Sequence, residues 1–140
     1  MDYPTALPVE FLFTLRLAGA ARPEYVFETA WGTRRETRAR GGSFAGPRLS
    51  GTIAEGLAND WGAQASDGTI GLDANLVLRA ADGEPFFMTF RGRADEAGKY
   101  RIAPQFEAGH GPLAWLTEIQ SIGLGGPDGD DLVFDIYAIQ

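Results

Sequence analysis

Gly41-Gly42-Ser43-Phe44-Ala45-Gly46-Pro47-Arg48-Leu49-Ser50-Gly51, followed closely by Asp60-Trp61, Asp67-Gly68 and Asp73, is the stretch that decides the fold. Its glycines and proline crowd around Phe44 and describe a tight turn between two strands. Such glycines suit positive φ angles, a bulge, or a close approach of two backbones. A phosphate-cradling loop would need Walker spacing and a following lysine, and neither is present. The aspartates downstream stand at strand ends or inside a strand, where a carboxylate needs a reason. A β scaffold with inward-facing carboxylates is how a small protein makes a polar pocket.

Outward from this turn the chain reads as short strands. Val9 to Ala18 alternates, with Val9, Phe11, Phe13, Leu15 and Leu17 on one face. Tyr25 to Trp31 reads as a short strand or an irregular loop. In Arg34 to Arg40, Arg34, Glu36, Arg38 and Arg40 alternate with Arg35, Thr37 and Ala39. A strand over Leu49 to Glu55 follows the glycine-rich turn. Asp67-Gly68 and Asp82-Gly83 are hairpin signals. Between them Ile70, Leu72, Ala74, Leu76 and Leu78 form one face, and Gly71, Asp73, Asn75, Val77 and Arg79 the other. Phe86 to Gly92, Tyr100 to Phe106, Leu113 to Thr117 and Ile119 to Leu124 read as extended. Leu132, Phe134, Ile136 and Ala138 share a face of the closing strand.

No segment reads as a helix. Roughly eight to ten short antiparallel strands predict an all-β fold, and closing the sheet removes its edges. A single-domain antiparallel β-barrel spanning residues 1–140 is therefore expected. A barrel of that size holds side chains or one small ligand. Two packed sheets are the alternative.

Composition limits the function. Hydrophobic residues make up 44% of the chain, enough for a real core. Cysteine is absent, which removes disulfides, thiolate metal sites and thiol nucleophiles. A net charge of −7 opposes nucleic-acid binding. No apolar run approaches the ~20 residues of a membrane span. The first ten residues lack the basic and apolar regions of a signal peptide, so a cytoplasmic location is expected.

The run Gly32 to Ile53, read as G-x-R-R-x-x-x-x-x-G-G-x-F-x-G-P-x-L-x-G-x-I, resembles the signature of the DUF3237 family, also called UPF0311. The likeness continues through Asp60-Trp61, Asp67-Gly68, Leu72-Asp73-Ala74, Asp82-Gly83, Gly92, Phe106-Glu107-Ala108-Gly109, Trp115-Leu116 and the last strand. It implies a calycin-like, lipocalin-like antiparallel barrel and lends no established reaction. Where the family usually has Gly-Gly-Ala-Asp-Trp, this chain has Gly56-Leu57-Ala58-Asn59-Asp60-Trp61. Asn75 and Thr117 stand where arginine and asparagine are common. If these positions line the pocket, the ligand differs from that of the relatives.

Several side chains are candidates for chemistry. Asp60 is either a turn carboxylate or a general acid or base beside an apolar wall, Trp61. Asp73 needs no explanation if it faces solvent; inside the barrel, desolvation would raise its pKa toward a useful range. Asp67 is most simply a turn residue, and Glu107 could serve either purpose. Arg38, and beside it Arg40, could clamp an anion or an oxyanion, although Glu36 on the same face favours ion pairing. His110 is the sole histidine. With no second histidine and no cysteine, a zinc site is not supported, and neither calcium-loop spacing nor a Ser-His-Asp motif is present. Trp61 and Trp115 beside polar loops suit stacking on a flat ligand, with Asn75 and Phe106 as further contacts.

The leading expectation is a cofactor-independent enzyme working on a small organic molecule in the barrel by proton transfer. The reaction would be an isomerisation, cyclisation or lyase-type elimination. Asp60 and Asp73 would be acid and base, and Arg38 or His110 an oxyanion stabiliser. The alternative is a non-catalytic carrier of lipocalin type. A third reading is a homo-oligomer, such as a dimer, whose aromatic patches are interfaces.

Overall fold

The computed structural model describes residues 1–140. Its strands are β1 (Val9–Leu17), β2 (Tyr25–Thr29), β3 (Gly32–Arg38), β4 (Gly42–Ala45), β5 (Ser50–Gln64), β6 (Ile70–Ala80), β7 (Pro85–Ala94), β8 (Tyr100–Glu107), β9 (Ser121–Asp128) and β10 (Asp131–Ile139). They form one antiparallel sheet in the order β2-β3-β5-β4-β1-β10-β9-β8-β7-β6. Pairing of β5 with β6 closes it into an eight-stranded barrel, from which the β2–β3 hairpin projects as an arm. No helix is long and apolar enough to cross a membrane.

The glycine-rich stretch is where the barrel turns its corner. Rather than one turn, it contains the short strand β4, which pairs with β1 on one side and β5 on the other. Phe44 thereby enters the core. At Gly51 a Cβ would fall on the carbonyl oxygen of Arg79, so only glycine lets β5 approach β6 this closely. Three hairpins follow one pattern. Asp67, Asp82 and Asp95 each accept a backbone N–H two to four residues on, at 2.9, 3.0 and 2.9 Å. Gly68, Gly83 and Gly98 supply the positive φ.

Two bulges reset the strand alternation. One, between Phe11 and Phe13, buries both Leu12 and Phe13 and leaves Val9 and Phe11 outside, which corrects the single face expected for β1. The second lies in β5 between Ile53 and Ala58, around Gly56 at φ 79°. It joins the expected strand Leu49 to Glu55 to the segment carrying Asp60 and makes one strand of 15 residues. Both Ile53 and Ala58 point inward, so the parity of the strand has changed between them.

The lumen is a packed core. Phe13, Phe44, Phe86 and Phe106 form a closed ring of aromatic contacts with centroids 5.2, 5.6, 6.1 and 5.9 Å apart. A second layer sets Phe134 against Phe90 and Tyr100 at 5.8 and 6.0 Å. Each such ring contributes on the order of 2–3 kcal/mol by burial, plus a smaller gain from edge-to-face geometry. This filling corrects the carrier reading: the barrel interior has no lipocalin-type ligand chamber. It equally moves any substrate out of the middle of the barrel.

Leu113 to Thr117 was expected to be extended but turns as a 3₁₀ helix over Ala114–Glu118. Successive i to i+3 bonds, Ala114 N–H to Gly111 O and Leu116 N–H to Leu113 O at 3.0 Å each, wind it, and Leu116 is buried. It sits at the Glu107 end of β8, where β8 and β9 have parted beyond the Tyr100–Ile102 pairing. Side chains span that gap: Ser121 Oγ donates to Pro104 O at 2.6 Å and Gln105 Nε2 to Gln120 Oε1 at 2.9 Å.

Candidate functional site

The functional candidates lie at the opposite end of the barrel, where β8 begins. After the Gly56 bulge, Ala58, Asp60 and Gly62 of β5 face the interior, with Thr37 and Arg35 of β3 directly across from Asp60 and Gly62. Tyr100, the first residue of β8, completes the cluster. Gly62 keeps its own position empty of side chain next to the carboxylate. Cavities of about 30 and 10 Å³ flank Asp60, walled by Thr37, Ala20 and Leu132, with Arg35 and Tyr100 on the smaller. The larger has room for about one water molecule, not for a substrate.

Asp60 is the chemically distinctive group. Burial pushes its carboxyl above the ordinary value, and the nearby Asp73 charge adds to the rise. The Asp73 N–H, donated to Oδ1 at 2.9 Å, and the Arg35 guanidinium pull the other way without cancelling it. Burial likewise raises Tyr100, with the Arg35 charge opposing and the Asp60 charge assisting, so its phenol remains neutral. A carboxyl biased toward its acid form, a neutral phenol and a fixed cation thus meet at one barrel end. This arrangement can donate a proton, take it back, and hold a developing oxyanion.

A loop walls this site. Ala20 and Ala21, between β1 and β2, line the cavities. Gly19 N–H donates to Asp131 Oδ1 at 2.9 Å, and Ala21 N–H to Asp130 O at 3.0 Å. Arg16 bridges Asp131 and Asp128 at 2.9 and 2.7 Å. The Gly19 N–H first, then Arg16, hold Asp131 below the usual carboxylate range. The loop is therefore latched to the β9–β10 hairpin by acidic groups.

The other expected site residues are elsewhere, for definable reasons. Asp73 and Asn75 face outward, because the Leu72, Ala74, Leu76 and Leu78 face of β6 takes the core. Asp73 pairs with Arg91 at 3.8 Å, and Asn75 lines a groove of about 470 Å³ on the outer face with Phe87, Thr89 and Gln105. The change of parity also puts Trp61 outside. Arg38 is committed to Glu36, whose buried carboxylate accepts from Nε at 2.6 Å, and this bond keeps Arg38 firmly protonated. Glu36 Oε2 is buried with no donor. Arg40 is exposed near Glu24 at 4.0 Å. His110 is exposed in the loop at the far end of β8. Phe106 is core, and the Trp115 face is covered by Arg48 at 3.7 Å. Of the expected residues only Asp60 belongs to the cluster. Arg35, Thr37 and Tyr100 were not singled out, although Ala39 and Ile102 on the same faces mark those faces as inward.

The molecule is thus an all-β barrel closed on a packed aromatic core, with a carboxyl, a phenol and an arginine gathered at one end. The chain belongs to the DUF3237 family, described as proteins of unknown function, whose model matches residues 7–139. It is 27% identical over 121 residues, 86% of this chain and 75% of the relative, to the hydroalkoxylation enzyme phnH of Penicillium herquei. Among solved structures it resembles a β-barrel-like protein from Acinetobacter baumannii, with a TM-score of 0.85, 21% identity and complete coverage of both chains. It also resembles an enzyme from Penicillium herquei, with a TM-score of 0.74, 22% identity, and coverage of 100% of this chain and 99% of that one.

Proposed function

We propose that this protein is an enzyme that needs no cofactor and adds a hydroxyl group of its substrate across a carbon–carbon double bond of the same molecule, closing a cyclic ether. Asp60, in its acid form, gives its proton to one alkene carbon. The substrate oxygen forms its bond to the other carbon, and the hydroxyl proton returns to the Asp60 carboxylate. Atoms balance without oxidant or reductant, and the carboxyl ends as it began. Arg35 stabilises the Asp60 carboxylate that the departing proton leaves behind, and Tyr100 orients the substrate hydroxyl through a hydrogen bond. Because the cavities beside Asp60 are small, substrate entry requires residues 18–24, which wall them through Ala20 and Ala21, to move aside.

The observation that carries this reading is Asp60 itself, an inward carboxyl raised by burial beside Tyr100 and Arg35. The likeness to a hydroalkoxylation enzyme supports the choice of reaction. The test is incubation with a panel of hydroxy-alkenes, beginning with 2-allylphenol, followed by separation of products of unchanged mass. Cyclic ether formed by the wild type, lost in Asp60→Asn and reduced in Tyr100→Phe, is the expected result. Turnover undiminished in Asp60→Asn would sink the assignment.

A further inference from the structure

We infer that two copies of this chain join edge to edge through β2, the outermost strand of the β2–β3 arm. The inference is independent of the proposed reaction. β2 pairs with β3 on one side only and is the open edge of the sheet. Edge strands in monomers are blunted by lysine, proline, a bulge or a covering loop. Tyr25-Val26-Phe27-Glu28-Thr29 has no lysine or proline, and it pairs with β3 in unbroken register. An antiparallel edge presents the same row of N–H and C=O groups to a copy of itself, so a second copy related by a two-fold axis satisfies it.

The side chains point to the same occupant. Tyr25 and Phe27 on one face, and Val26 on the other, are 60%, 49% and 54% exposed, and Trp31 at the arm's tip is 96% exposed. A surface strand with one solvated face has no need of apolar residues on both. Together these four expose on the order of 500 Å², a large part of the roughly 800 Å² that each partner contributes to a stable interface.

Sedimentation of the full chain over a range of concentrations tests the inference, with Val26→Lys and Phe27→Lys as separate variants. The wild type should sediment at twice the 15.1 kDa chain mass and both variants at once that mass. Neither side chain is in the core, so circular dichroism should be unchanged and both variants should still unfold in one cooperative transition. A wild type that is monomeric at every concentration would overturn the inference. So would a dimer that survives in both folded variants, because the contact would then lie elsewhere.

Discussion

Asparagine at position 60 separates what the carboxyl does for the fold from what it does for chemistry. The amide oxygen can still accept the Asp73 N–H, but it carries no proton to transfer. Because the folded-state pKa of Asp60 lies above its ordinary value of 3.8, the folded protein holds that proton longer than the unfolded chain. Its contribution to stability is present at low pH and is lost as pH rises through the folded value. Asp60→Asn should therefore melt higher than the wild type at neutral pH while losing turnover, and the gain should shrink as pH falls through the folded value and be gone below 3.8. Thermal melts across that range check the sign. Asp60 was legible as a loop-end carboxylate next to Trp61, but its direction was not. Counting by twos from Ile53 puts Trp61 inside and Asp60 outside; one positive-φ glycine, Gly56, reverses both.

At the scale of elements, the hairpins were the most legible part of the chain, because an Asp-Gly pair specifies both a side-chain acceptor and a left-handed backbone. The face of β10 was equally plain from its alternation, whereas β6 showed two faces without saying which turns inward, and Asp73 and Asn75 lie on the outer one. The 3₁₀ helix was not legible, since Leu113 to Thr117 is too short for a period to appear, and its winding rests on i to i+3 bonds with Leu116 buried. The latch on the β1–β2 loop was also hidden, because it joins residues distant in the chain, Gly19 and Asp131. Its pH dependence runs opposite to that of Asp60. Asp131 is depressed, so its stabilisation is full above 3.8 and is lost as pH falls through the folded value. Asp131→Ala should reproduce that acid state at neutral pH. Hydrogen exchange at the Gly19 and Ala21 amides should accelerate while amides of β6 and β7 keep their protection.

Across the whole molecule, closure and core come from the same residues. Gly51 lets β5 meet β6, and Phe44 beside it enters the four-ring layer with Phe13, Phe86 and Phe106. Phe44→Ala should cost about 3–5 kcal/mol and lower the urea midpoint at unchanged slope, if β4 holds the barrel shut. The strand count and all-β class could be read from alternation and turn residues, whereas the filling of the lumen could not. Whether a barrel is hollow depends on how many large side chains converge at one level, and that depends on shear and register rather than on any one strand.

Carbon-13 NMR titration of the aspartate carboxyls decides whether the barrel end at Asp60 is a proton-transfer site. Asp60 should titrate above 3.8 and clearly later than Asp67 and Asp131, which their hydrogen bonds hold below it. An Asp60 carboxyl that titrates together with those two would be an ordinary ionised turn or pairing group at neutral pH, and the proton-transfer assignment would fall.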